Sequence, residues 1–151
     1  TGPVVALLDT SGSMQGAPLL KARALLLAIA GILQREKRSL HVVLFGSAGE
    51  LRELALEGAE QSAALLAFLN QGFGGGTDFE TPLQRAFAII GQQARYQRAD
   101  VLMISDGDCH LSDTFTHTAH AQKQALDCLV YSVLCNGQRV SDSFSDEVLA
   151  L

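Results

Sequence analysis

Two uninterrupted apolar runs of strand length, Val4-Val5-Ala6-Leu7-Leu8 and Val101-Leu102-Met103-Ile104, constrain this chain more than any other feature. Neither run alternates polar with apolar residues, so each fits a strand covered on both faces, as in a parallel sheet between helical layers. Each also delivers an acid to its carboxyl end: Asp9 follows the first run and Ser105-Asp106-Gly107 the second. In open α/β sheets ligands bind at that edge.

The rest of the chain alternates strand and helix patterns, with strands expected at 4–9, 40–46, 50–57, 100–105 and 128–134. Helices are expected at 18–37, 60–70, 81–97, near 114–125 and from about 142. Right-handed crossovers then give an α/β, doubly wound, Rossmann-like and mostly parallel sheet flanked by helices, in the order 3-2-1-4-5. The Gly46-Ser47-Ala48-Gly49 turn predicts a hairpin, making the short strand at 50–57 an antiparallel edge guarded by its charges. The stretch from Ala24 to Leu33 is too short to span a bilayer and reads as a core helix, with no direct membrane insertion.

The loop after the first strand carries the chemistry. Asp9-Thr10-Ser11-Gly12-Ser13 sets a carboxylate and two hydroxyls at alternate positions, and Gly12 lets the bend tighten. Oxygen donors of this kind suit Mg²⁺, which keeps open positions and rarely sits in an all-protein cage. The competing reading is a Ser-rich turn that caps the next helix. Gly74-Gly75-Gly76-Thr77-Asp78, placed before a helical stretch with Pro82 in its first turn, brings another hydroxyl and another carboxylate. With Asp106, three loops offer oxygen at one edge.

Together, Asp-x-Ser-x-Ser, the Gly-rich loop with Thr77, and Ile104-Ser105-Asp106-Gly107 resemble the metal-ion-dependent adhesion site (MIDAS) of von Willebrand factor A (VWA) domains. Asp-Thr-Ser-Gly-Ser-Met and Gly-Gly-Thr-Asp are most similar to the intracellular bacterial branch, ViaA-like and CoxE-like proteins that work with MoxR-type AAA+ ATPases. The resemblance implies Ser11, Ser13 and Thr77 as metal ligands, with Asp9 and Asp106 binding directly or through water. Gly12 and Asp78 then stand behind the ligands, and Asp108 shapes an acidic rim. The implied cofactor is Mg²⁺, with Mn²⁺ or Ca²⁺ as alternatives. The implied partner is a protein supplying an Asp or Glu carboxylate, a MoxR-type ATPase or its substrate. The family's last strand is expected beyond Leu151, so residues 1–151 read as one VWA domain excised from a longer protein.

Composition narrows the function further. With 151 residues and 48% hydrophobic content, a full core needs no disulfide. A net charge of -5 and the absence of Trp argue against a nucleic-acid surface. Cys109, Cys128 and Cys135 lack zinc spacing and read as free thiols, which fits a reducing, cytoplasmic setting. His117 and His120 read as solvated, and Cys109-His110 as loop, because neighbouring side chains in an extended segment point apart. Met14, Gln15, Phe73 and Phe79 either rim the site or turn into the core. A haloacid dehalogenase-type phosphatase also begins with an Asp after the first strand. Its chemistry needs a second carboxylate two residues later, and Ser11 stands there. The expectation is therefore a non-enzymatic, metal-dependent protein-binding module.

Overall fold

The computed structural model describes residues 2–56, 62–107, 110–136 and 144–151. β1 (Val4–Asp9), β2 (Leu40–Phe45), β3 (Leu51–Leu56), β4 (Asp100–Ser105), β5 (Val130–Leu134) and β6 (Glu147–Ala150) form one sheet in the order β3-β2-β1-β4-β5-β6. Among the described strands only β3 runs antiparallel, across the expected hairpin from β2. β1 lies between β2 and β4, with Asp9 level with Phe45 and Leu8 level with Ile104, so the two acid-bearing strand ends are neighbours.

Among the described residues, two helices cover each face. α1 (Ala17–Arg35) and α2 (Ser62–Leu69) pack on Ala6, Leu8, Val42 and Leu44. α3 (Glu80–Gln92) and α4 (Asp113–Leu126) pack on Val5, Leu7, Val43, Phe45, Val101 and Met103. The alternation of one strand between two cores explains why these runs carry no polar residues. α4 begins where the Ser112 Oγ accepts the Phe115 N–H at 3.1 Å and ends at Asp127 in the left-handed region, φ 52°.

Three expectations change. The helix expected over 81–97 stops at Gln92, and a separate 3-10 turn, Ala94–Tyr96, turns the Tyr96 ring into the core. α1 buries one face only: Leu19, Ala22, Leu26 and Leu33 are inward, while Leu20 is 65% exposed. Taken whole, Ala17–Arg35 is long and apolar enough to cross a membrane by length and composition, yet that inward face is packed on the sheet. Finally, the expected terminal helix is not formed over the described residues: Glu147–Ala150 is a strand parallel to β5.

Asp146 explains that switch. Its carboxylate accepts the Val130 N–H at 2.7 Å and pairs with Lys123 Nζ at 2.9 Å, while its own N–H donates to the Val130 carbonyl at 2.7 Å. Lys123 also donates to the Phe144 carbonyl at 2.8 Å. Burial pushes the Asp146 carboxyl up, but the bonds from Val130 and Lys123 outweigh it and hold it below the usual range. A carboxyl with a lowered folded-state pKa stabilises the fold above its unfolded-state value, and that stabilisation is lost as pH falls through the folded-state value. Asp146→Ala is expected to cost about 1–2 kcal/mol and to speed hydrogen exchange in 147–150 before the rest of the sheet. Exchange rates in β6 equal to wild type would refute this role.

Candidate metal centre

Asp9 ends β1 fully buried, and its two oxygens are held separately. Oδ1 accepts the Ser11 N–H at 2.9 Å and Oδ2 accepts the Ser105 hydroxyl at 2.8 Å. No ion pair reaches it among the described residues; every partner it has there is neutral, apart from the repulsive Asp106. Burial accordingly pushes its carboxyl above the ordinary range, although the Ser11 and Ser105 bonds favour the charged form.

The hydroxyls gather beside it. Ser11 Oγ and Ser13 Oγ lie 3.2 Å apart, the first buried and the second exposed. Ser105 Oγ is 3.5 Å from Asp106 Oδ1 and accepts the Gly107 N–H at 3.4 Å, so it links the ends of β1 and β4. Ser105 went unassigned in the sequence because a hydroxyl inside an apolar run reads as a tolerated strand residue. The readable signal was its position, immediately before an acid at a ligand-binding edge.

The Gly-rich loop is sewn to the same place. The Gly12 N–H donates to the Gly75 carbonyl at 2.8 Å and the Gly74 N–H to the Thr10 carbonyl at 2.8 Å. A Cβ on Gly12 would lie 3.1 Å from the Gly74 carbonyl oxygen, so Gly12 serves this close approach more than a tight bend. Thr10, also unassigned in the sequence, is buried. Its hydroxyl donates to the Phe45 carbonyl at 2.8 Å and accepts the Phe73 N–H at 3.1 Å. Thr77 follows on this loop with an exposed side chain, and no hydrogen bond ties it to the serines.

Asp78 is tied to the start of α3. Its carboxylate accepts the Glu80 and Thr81 N–H groups, at 3.3 and 3.1 Å, and the Thr81 hydroxyl, so it satisfies N–H groups in the first turn of α3, whose N-cap position is Phe79. Its N–H donates to the Gly46 carbonyl at 2.7 Å, which fixes the loop's far end. Asp108 and Cys109 lie outside the described residues. Of the four residues read as either rim or core, Met14 and Phe79 are buried, Phe73 is half-buried and Gln15 is exposed. Cys128 and Cys135 are buried free thiols; burial pushes Cys128 up to about 11 and Cys135 in the same direction, so both stay protonated and inert. His110, His117 and His120 are exposed.

No three His, Cys, Asp or Glu side chains among the described residues gather to hold a metal ion. A cation at this edge would therefore rest on hydroxyls beside Asp9 and Asp106. That donor set is hard, oxygen-only and low in charge, and it fits an Mg²⁺-like ion that retains exchangeable positions.

A doubly wound α/β domain with carboxylates and hydroxyls from separate loops at one sheet edge is the class these observations define. The chain belongs to the von Willebrand factor type A domain family, whose model matches residues 4–108. It is 30% identical over 150 residues to an uncharacterized protein of Methanocaldococcus jannaschii, covering 98% of this chain and 34% of that protein. It is 36% identical over 105 residues to the regulatory protein ViaA of Edwardsiella ictaluri, covering 70% of this chain and 21% of ViaA. The chain thus spans about a third or less of the length of these relatives. Among solved structures, proximal thread matrix protein 1 of the mussel byssus, with a zinc-occupied MIDAS motif, shares the fold. Its TM-score is 0.65 at 15% identity, over 100% of this chain and 43% of that one.

Proposed function

We propose that this domain is a non-enzymatic protein-docking module. In this reading Asp9, Ser11, Ser13, Thr77 and Asp106 hold Mg²⁺, which completes its coordination with an Asp or Glu of a partner. The observation that carries it is Asp9, a fully buried carboxylate with no cationic side chain paired to it among the described residues. Ionised carboxylates are buried at high cost unless a counter-charge accompanies them, and a divalent cation supplies one. Two carboxylates and neutral hydroxyls leave such an ion under-neutralised, so an outside carboxylate gains by joining it. Exposed Ser13 and Thr77 leave the edge open to that approach.

The zinc-occupied MIDAS of the mussel protein supports a divalent ion on this fold, and the likeness to ViaA supports a regulatory partner. We assign the partner to a MoxR-type AAA+ ATPase or its substrate, and the setting to the cytoplasm. The second carboxylate that a haloacid dehalogenase-type enzyme needs is replaced by Ser11, whose hydroxyl faces Ser13. The test is binding to a purified MoxR-type ATPase with Mg²⁺ and with chelator, alongside Thr77→Ala. Binding is expected to need the ion and to weaken about tenfold or more in the variant. Chelator-resistant binding would leave any metal a structural role. Phosphatase turnover abolished by Asp9→Asn would favour the enzyme.

A further inference from the structure

Arg52 stands at the candidate metal edge. On β3 it pairs with Leu44, one step from the Leu51–Phe45–Asp9 row where β1 ends. Its Nη1 donates to Gln71 Oε1 at 2.7 Å, and its guanidinium carbon lies 5.5 Å over the Phe73 ring. Phe73 is fixed beside the first loop by its N–H bond to Thr10 Oγ1 at 3.1 Å. Two cations elsewhere on the domain meet acids directly, Arg85 with Glu53 at 2.6 Å and Lys123 with Asp146 at 2.9 Å. Arg52 forms no ion pair among the described residues.

A guanidinium stacked on an aromatic ring and steadied by an amide is preorganised, and its planar fork of donors matches a carboxylate. On a chain of net charge -5, a cation held at this edge with no acidic partner among the described residues marks a place where negative charge from outside is favoured. We propose that Arg52 is a second anchor, which takes a second carboxylate of an acidic partner segment whose first carboxylate joins the ion. The inference rests on the docking reading of the edge and narrows the partner to a segment with paired acidic residues.

The test uses fluorescent glycine-serine peptides carrying either one glutamate or two at varied spacing, titrated by anisotropy with Mg²⁺ and with chelator. The best two-glutamate peptide is expected to bind about fivefold tighter than the single-glutamate peptide, the upper range for an exposed ion pair. Arg52→Gln is expected to erase that advantage while Mg²⁺ affinity by calorimetry and the melting temperature stay unchanged. If the single-glutamate peptide binds in an Mg²⁺-dependent way but the second glutamate adds nothing, or adds as much to Arg52→Gln, the second anchor is refuted and the docking reading stands. If Arg52→Gln weakens Mg²⁺ binding itself, Arg52 merely supports the loop and the proposal falls. Chelator-insensitive binding, or no binding by any peptide, overturns both.

Discussion

Asp9→Asn is expected to lower divalent-ion affinity by more than about 100-fold, beyond what loss of an outer-shell partner costs. The metal-free protein should melt no lower than wild type. The two expectations share one cause: Asp9 is fully buried among neutral donors, so its charge helps only when a cation is bound. An asparagine keeps an acceptor for the Ser11 N–H and removes the uncompensated charge. In wild type, Mg²⁺ at about 100 times its dissociation constant should add about 2.7 kcal/mol of stability, and in Asp9→Asn almost none. Calorimetric titration and thermal melts with and without Mg²⁺ measure both quantities. Equal Mg²⁺ affinity in the two proteins would exclude Asp9 as a ligand.

Thr10→Val is expected to destabilise the domain by roughly 1–3 kcal/mol, the cost of stranding buried hydrogen-bonding groups. Valine preserves the shape, so the loss isolates the hydroxyl, which joins the Phe45 carbonyl to the Phe73 N–H. The Phe45 carbonyl retains the Thr10 N–H at 2.9 Å, while the Phe73 N–H loses this acceptor. The Gly-rich loop should loosen first, and ion affinity should fall about tenfold because Thr77 rides on that loop. Urea denaturation gives the stability change and ion titration the affinity. A variant as stable as wild type would show that the Gly12 and Gly74 backbone bonds suffice to hold the loop.

The amino-acid sequence by itself determined the strand core, the order of its first five strands and the edge where the two acid-bearing strand ends lie. Buried strands are written in uninterrupted apolar runs, and an acid at the end of such a run has few structural reasons to be there. The neighbouring placement of Asp9 and Asp106 was legible for that reason, as was β3, whose Arg52 and Glu53 mark an edge. Residues whose importance lies in a distant partner were not legible. Ser105 matters because β4 lies beside β1, Thr10 because the loop near Phe73 returns across it, and Asp78 because its carboxylate bonds the first turn of α3. The last element shows the limit most plainly. Glu147-Val148-Leu149-Ala150 has the composition of a helix, and only the exposed flank of β5, with Asp146 bonded to Val130 and Lys123, draws it into a strand. Local propensity differs by a few tenths of a kcal/mol per residue, so partners contributed from elsewhere in the fold decide the outcome.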